Sequence, residues 1–230
     1  MIDMNWRLRA VHAGEIHRLR ELQKRRESWG IHHNGLKHYD EIFNSVLPEG
    51  SLLSLLKPDS LVLDTFAPAS FVRELNQRGA IQGGVAMTLT DTRLDKEKRT
   101  DEQYGIHQIE SNFYTGEWYP VVNQYLGEKQ KAGFDVIVCA PIGGWLGADD
   151  RGFTHAPGKE QIWWTTKTLW DLLEPGGNLF IAYVTHHNGD LERWFDEMKC
   201  VGIGVAVGEN RQIARFTKKQ GPAVPVPAFR

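Results

Sequence analysis

The chain has 230 residues, 41% of them hydrophobic and 24% charged, which suits a buried core and excludes a disordered chain or a small scaffold held by staples. Lys+Arg 27 against Asp+Glu 29 gives a formal net charge of -2, so no bulk field draws the protein to nucleic acid or anionic lipid, although a local basic patch is compatible with that balance. Two cysteines, Cys139 and Cys200, fit a reducing compartment, and no apolar run reaches bilayer length or forms a signal-peptide core, so a cytoplasmic chain without membrane contact is expected.

Residues 14–29 place Ile16, Leu19 and Leu22 at helical spacing and end before Gly30, a plausible C-cap. The basic residues Arg18, Arg20, Lys24, Arg25 and Arg26 make that helix either a solvated face or a surface for RNA or a partner. His32-His33 beside Asn34 reads as surface, and a second helix is predicted over 36–46. After Pro58 the texture changes: strands are predicted over 61–64 and 85–89, with a helix over 71–78 between them. The charged stretch 92–105 reads as a solvated loop. A third strand over 106–109, a helix over 119–130 and a strand over 134–139 follow, the last leading into the Gly-rich loop Gly143-Gly144-Trp145. A helix over 161–173 stops at Pro175-Gly176-Gly177, and a fifth strand over 179–184 comes next. A helix over 191–199 and strands over 203–207 and 212–217 complete the series, and a Pro-rich tail over 221–230 is expected to be extended and mobile.

Alternating strands and helices predict an α/β fold, a mostly parallel sheet covered on both faces by right-handed crossovers. In such sheets ligands bind beyond the carboxyl ends of the strands. The loop Asp64-Thr65-Phe66-Ala67-Pro68-Ala69-Ser70-Phe71 carries small side chains where backbone and a helix N-terminus can approach a ligand. Asp91, at the end of the second strand, is placed to accept hydrogen bonds from two ribose hydroxyls. Each alone is more simply a helix N-cap or a surface acid; together, at the ends of consecutive strands, they point to nucleoside recognition.

The run Lys57-Pro58-Asp59-Ser60-Leu61-Val62-Leu63-Asp64, the loop Ala67-Pro68-Ala69-Ser70-Phe71, the strand Phe134-Asp135-Val136-Ile137-Val138 and the turn Leu172-Leu173-Glu174-Pro175-Gly176-Gly177-Asn178-Leu179-Phe180 resemble class I S-adenosylmethionine-dependent methyltransferases, in particular the FtsJ-like ribose 2′-O-methyltransferases. The resemblance covers roughly residues 50–219 and implies a Rossmann-like methyltransferase fold with a seven-stranded sheet. It implies an N-terminal helical extension over 1–50, a methyltransferase-like domain over 51–219 and the tail over 220–230. It also implies S-adenosylmethionine as cofactor, held by Asp64, Thr65, Phe66, Ala67, Ala69, Ser70, Phe71, Asp91, Asn112 and Ala140, with Asn112 near the adenine.

The departures concern catalysis. The family's glycine pair is Ala69-Ser70 here. Its Lys-Asp-Lys-Glu tetrad, in which a lysine deprotonates or orients the ribose hydroxyl, meets Ala140, Ala182 and Gln212 in place of the aspartate, the second lysine and the glutamate, with Lys37 a weak match for the first lysine. His186 and His187, after the fifth strand, are candidates for proton transfer. Cys139 reads as an inert strand residue, and Asp149-Asp150 as a solvated loop. Trp163 and Trp164 read as helix residues with at least one in the core, and Trp145 as a pocket wall. No His, Cys and acid set has metal-site spacing. Two readings stay open: a methyltransferase acting on a small molecule or RNA without the tetrad, and an inactive relative serving as a binding or regulatory module, with a protein partner or as a homodimer.

Overall fold

The protein is described by a computed structural model covering residues 5–26, 35–65, 67–140, 158–183, 187–209, 211–222 and 224–230, without the side chains of residues 5, 21–26 and 188. Seven strands form one sheet: β1 Val62–Thr65, β2 Gly84–Thr88, β3 Ile106–Glu110, β4 Phe134–Cys139, β5 Leu173–Ala182, β6 Gly204–Val207 and β7 Ile213–Thr217. Their order is β3-β2-β1-β4-β5-β7-β6, with β1 to β5 parallel and β7 antiparallel to both its neighbours. The helices are α1 Asn5–Arg26, α2 Leu36–Phe43, α3 Ser70–Gln77, α4 Asp95–Tyr104, α5 Tyr119–Glu128, α6 Lys159–Asp171 and α7 Asn188–Cys200. This is the mostly parallel, doubly wound seven-stranded α/β sheet expected from the sequence.

The strand residues alternate between two apolar layers. Leu63, Ile137, Leu179 and Ile181 pack with residues of α5, α6 and α7, such as Val122, Leu169 and Phe195. Val62, Val138, Phe180 and Ala182 pack on the other side with Tyr39 and Phe43 of α2 and Phe71 of α3. With both faces buried, the strands carry continuous hydrophobic runs rather than alternating ones, which is why they stand out in the sequence. β1 pairs with β2 on one side and β4 on the other, so the strand order reverses there and leaves the crevice typical of doubly wound sheets.

Four expectations change. The charged stretch is not a loop but α4, because Glu97 accepts the Leu94 backbone N–H (2.8 Å) and Gly105, at φ 66°, ends the helix in a conformation that favours glycine. Its acids Glu97 and Asp101 are also paired. Asp101, with no exposure, accepts Arg73 Nε (2.6 Å) and Nη2 (2.9 Å) and Arg93 Nη1 (2.8 Å), and Arg73 Nη1 reaches Glu97 (2.9 Å).

In α1 the described buried face is made of Ala10, Ala13 and Gly14, and the predicted Leu19 is 65% exposed. Small residues win because the helix lies close against the body: a Cβ on Gly14 would fall 2.2 Å from Asn112 Nδ2. Both Trp163 and Trp164 are half-buried, packed against the core rather than within it. The tail is pinned: Val226 and Phe229 are buried, and Trp170 and Trp194 donate to the carbonyls of Val224 and Pro227. Gly30, Trp145, Asp149, Asp150, His32, His33 and Asn34, and the side chains of Leu22, Lys24, Arg25 and Arg26, lie outside the described residues. Among the described residues no helix is long and apolar enough to cross a membrane.

The buried charges give a first test. Asp101→Ala leaves two guanidinium groups without their shared acceptor and should cost about 3 kcal/mol in urea denaturation. Lys37→Ala, which removes an ammonium 91% exposed and 3.9 Å from Glu41, should leave the midpoint where it is.

Candidate functional site

At the end of β1, Asp64 has no exposure, and both its carboxyl oxygens accept from the Tyr39 hydroxyl, at 2.9 and 3.1 Å. Burial pushes its pKa well above the ordinary value, an effect the Tyr39 hydrogen bond only partly offsets. The neighbouring Thr65 donates its hydroxyl to Val138 O (3.1 Å), and the Ala67 N–H donates to Met87 O (3.1 Å), which draws the loop across the ends of β4 and β2. Thr65, Ala67, Ala69 and Phe71 are all without exposure, while Ser70, the first residue of α3, is half-buried. Phe66 lies outside the described residues.

Beyond β2 the expected ribose acid is already engaged. Asp91 accepts from the Arg93 backbone N–H (3.0 Å), Nε (3.0 Å) and Nη2 (3.1 Å), with Lys98 Nζ at 3.5 Å. Partial burial opposes its ionisation, but the Arg93 hydrogen bonds and the charges of Arg93 and Lys98 outweigh it and hold the carboxyl below its usual range. Thr90, 4% exposed, has a hydroxyl without a partner among the described residues. Beyond β3, the Asn112 amide donates to Val11 O (3.1 Å) and accepts from the Tyr114 N–H (3.0 Å). One end of that amide holds α1 and the other fixes the loop after β3. Glu110, at the end of β3, accepts from the Asp91 N–H (3.0 Å) and pairs with Arg18 of α1 (2.7 Å). The basic helix therefore spends Arg18 on the sheet edge, and Arg7 donates to Tyr114 O (2.7 Å) while lying 5.0 Å over the Trp164 ring.

The β4–β5 side is apolar. Cys139 is buried, and burial pushes its thiol up to about 12, so it is no nucleophile near neutrality. Cys139 pairs with Ile181 in the ladder, so Ala140 and Ala182 follow side by side. They are 2% and 7% exposed and share one apolar cluster with Ala69 and Phe180. Ile213 of β7 faces Ala182, and Gln212 accepts the Tyr183 N–H at its carbonyl (2.6 Å). His187 sits at the N-terminal end of α7, with Nδ1 3.9 Å from Asp190 and its ring edge-on to Phe229. His186 lies outside the described residues. Lys37 is not brought to Asp64: α2 turns Tyr39 inward and leaves the Lys37 ammonium in solvent beside Glu41. Among the described residues no three His, Cys, Asp or Glu form a metal-ligand group.

Tyr39 and Arg93 escaped the sequence reading. Tyr39 occupies the apolar stripe Leu36, Tyr39, Phe43 of α2, where a tyrosine needs an inward partner for its hydroxyl; that partner is 25 residues away. Arg93 left no signal, since its role depends on Asp101 being buried.

No family model matches the chain, and no curated protein matches it. Among solved structures, the N-methyltransferase NodS from Bradyrhizobium japonicum is 14% identical at a TM-score of 0.41, over 80% of this chain and 95% of that one. An rRNA methylase from Streptococcus thermophilus is 11% identical at 0.44, over 81% and 98%. The MycE methyltransferase of the mycinamycin pathway, in complex with Mg and SAH, is 14% identical at 0.47, and this chain spans 48% of its length. These are likenesses of fold.

Asp64 sets a pH test. A carboxyl with a raised folded-state pKa holds its proton more tightly when folded, so stability falls as pH rises from 3.8 through the folded value and stays lower above it. Asp91, shifted the other way, contributes stability that is lost only as pH falls below 3.8. Asp64→Asn, which keeps an acceptor for Tyr39, should therefore be more stable than the parent at pH 7 and lose that advantage near pH 4, as read by denaturation midpoints across the range. Parallel curves for the two proteins would mean that Asp64 is ionised in the fold.

Proposed function

We propose that the chain is an S-adenosylmethionine-dependent methyltransferase whose cofactor binds across the carboxyl ends of β1 and β2, beside the crevice between β1 and β4, at the loops after Asp64 and Thr88. The observation that carries this reading is the set of groups at the carboxyl ends of β1 and β2, next to the reversal of strand order. Small side chains, Ala67 and Ala69, lie at the N-terminus of α3, and an acid and an unpartnered buried hydroxyl, Asp91 and Thr90, end the neighbouring strand. A hydroxyl buried without a partner among the described residues is costly in a folded protein, and a polar ligand at this strand end would satisfy it. The residue types fit an adenosyl group: a carboxylate for the ribose diol, a hydroxyl beside it and apolar contacts below.

Access is the missing element. Asp64, Thr65, Ala67 and Ala69 are covered, Arg93 holds Asp91, and α1 holds the Asn112 amide. Binding on this reading requires Arg93 to leave Asp91, with Asp101 retaining it. When bound, S-adenosylmethionine supplies a sulfonium methyl group for transfer to a nucleophile. Ala140 and Ala182 offer no proton acceptor, so transfer relies on positioning of an acceptor that needs no lysine base, a small molecule or an RNA group. His187, at the N-terminal end of α7, lies at the same edge of the sheet.

Calorimetric titration with S-adenosylhomocysteine tests the reading. The parent should bind, Asp91→Ala should bind more weakly by about 1–3 kcal/mol, and Arg93→Met should bind about tenfold more tightly, because the acid is then released from its arginine. Binding by the parent with no change in either variant would place ribose recognition elsewhere. No binding by any of the three at millimolar ligand would sink the cofactor assignment and leave a scaffold without transfer chemistry.

A further inference from the structure

Three indole N–H groups on the outer layer converge on one extended segment. Trp170 and Trp163 of α6 donate to the carbonyls of Val224 (2.9 Å) and Val226 (3.3 Å), and Trp194 of α7 donates to that of Pro227 (2.8 Å). Two side chains plug the groove between the helices, Val226 and Phe229, each 6% exposed. Phe229 stacks on Trp194 with ring centroids 4.7 Å apart and planes 14° from parallel, and Lys159 at the start of α6 donates to Arg230 O (2.8 Å).

The way this segment is held is unlike the rest of the chain. Residues 224–230 pair with no strand, and among the described residues they make no backbone–backbone hydrogen bond. Pro222, Pro225 and Pro227 have no N–H and fix an extended, polyproline-like backbone, so the carbonyls are what remains to be recognised. Aromatic side chains whose N–H groups take carbonyls, combined with pockets for spaced apolar side chains, are the physical basis on which proline-rich peptides are bound. Such a surface reads a class of sequences, since no polar side chain of the segment is needed. The occupant does not fill its groove either: a cavity of about 470 Å³, lined by Trp170, Ile203, Lys218, Pro222 and Val224, remains at the segment's entry.

We propose that the α6–α7 face is a binding site for extended, proline-rich segments of another protein, which the chain's own residues 224–230 fill in cis. The linker is suited to release, because residues 219–222 are exposed and Gly221, at φ 123°, adopts a conformation open mainly to glycine. The far end of the groove reaches Lys159 and His187, the first turns of α6 and α7, so its occupant borders the carboxyl edge of the sheet. The proposal stands independently of the cofactor reading.

The experiment starts from the folded full chain with a protease site in place of the exposed residues 219–221, cut after folding. A fluorescent synthetic peptide of residues 221–230 is then added, and its anisotropy is followed. The cut protein should take up the peptide saturably, and the unlabelled peptide should displace it, as should a different peptide that keeps the prolines, the valine and the phenylalanine. Trp170→Phe and Trp194→Phe, each removing one indole N–H, should weaken uptake about tenfold. The uncut chain should take up none at micromolar peptide, because its own segment is present at an effective concentration of about a millimolar. The proposal is overturned if the cut segment never exchanges, or if its departure unfolds the protein by circular dichroism, since it is then part of the core. Uptake indifferent to both tryptophans also overturns it, and a dimer of the cut chain that blocks uptake would assign the groove to a second copy instead.

Discussion

Asp101 has no exposed surface, and its two carboxyl oxygens accept three N–H bonds from Arg73 and Arg93. A buried carboxylate is tolerable only with such neutralisation, and two guanidinium groups at one acid must in turn find further acceptors. Arg73 finds Glu97, and Arg93 finds Asp91. One acid on α4 thereby fixes where α4 lies against α3 and how the chain leaves β2, and it holds the candidate ribose acid in an ion pair. The charge state of the candidate site follows from a packing requirement one helix away.

The helical extension reaches the same edge through different chemistry. Trp6 packs edge-on against Tyr114 and Trp164, Arg7 covers the Trp164 ring, and Ala10 and Ala13 bring the helix backbone close enough for Val11 O to take the Asn112 amide. Arg18 then closes on Glu110, whose second oxygen holds the Asp91 backbone. α1 and Arg93 thus meet around the ends of β2 and β3. On the proposed reading both bear on the adenosine end of the crevice, and neither touches the apolar side at Ala140 and Ala182.

The parallel sheet was legible because two-sided burial writes itself into the strands as uninterrupted apolar runs, Leu61-Val62-Leu63 and Val136-Ile137-Val138 being examples. The loop at Ala67-Pro68-Ala69 was legible for the same reason, being tied to a strand end. What could not be read was pairing at a distance. The segment 92–105 looks solvated because its charges have no visible neighbours in sequence; Arg73, 28 residues from Asp101, supplies them. Asp91 looks free for the same reason, since an arginine two residues on could point anywhere until Asp101 fixes it. The tail looks mobile because proline content signals the absence of helix and ladder, and says nothing of indole donors waiting on α6 and α7.

Ala140 and Ala182 close the argument about chemistry at this edge. They follow a ladder pair, Cys139 and Ile181, and lie in an apolar cluster with Ala69 and Phe180. A lysine and an aspartate in those places would each need the other, because a lone charge in such surroundings loses its solvation without compensation. Both positions are apolar together, so neither leaves the other stranded, and the layer packs without an orphaned charge. On the proposed reading, proton handling at a methyl acceptor falls to groups outside this cluster. The acid retained at the end of β1, Asp64, does not take that part in the described conformation, since burial favours its neutral form and the Tyr39 hydroxyl occupies both of its oxygens.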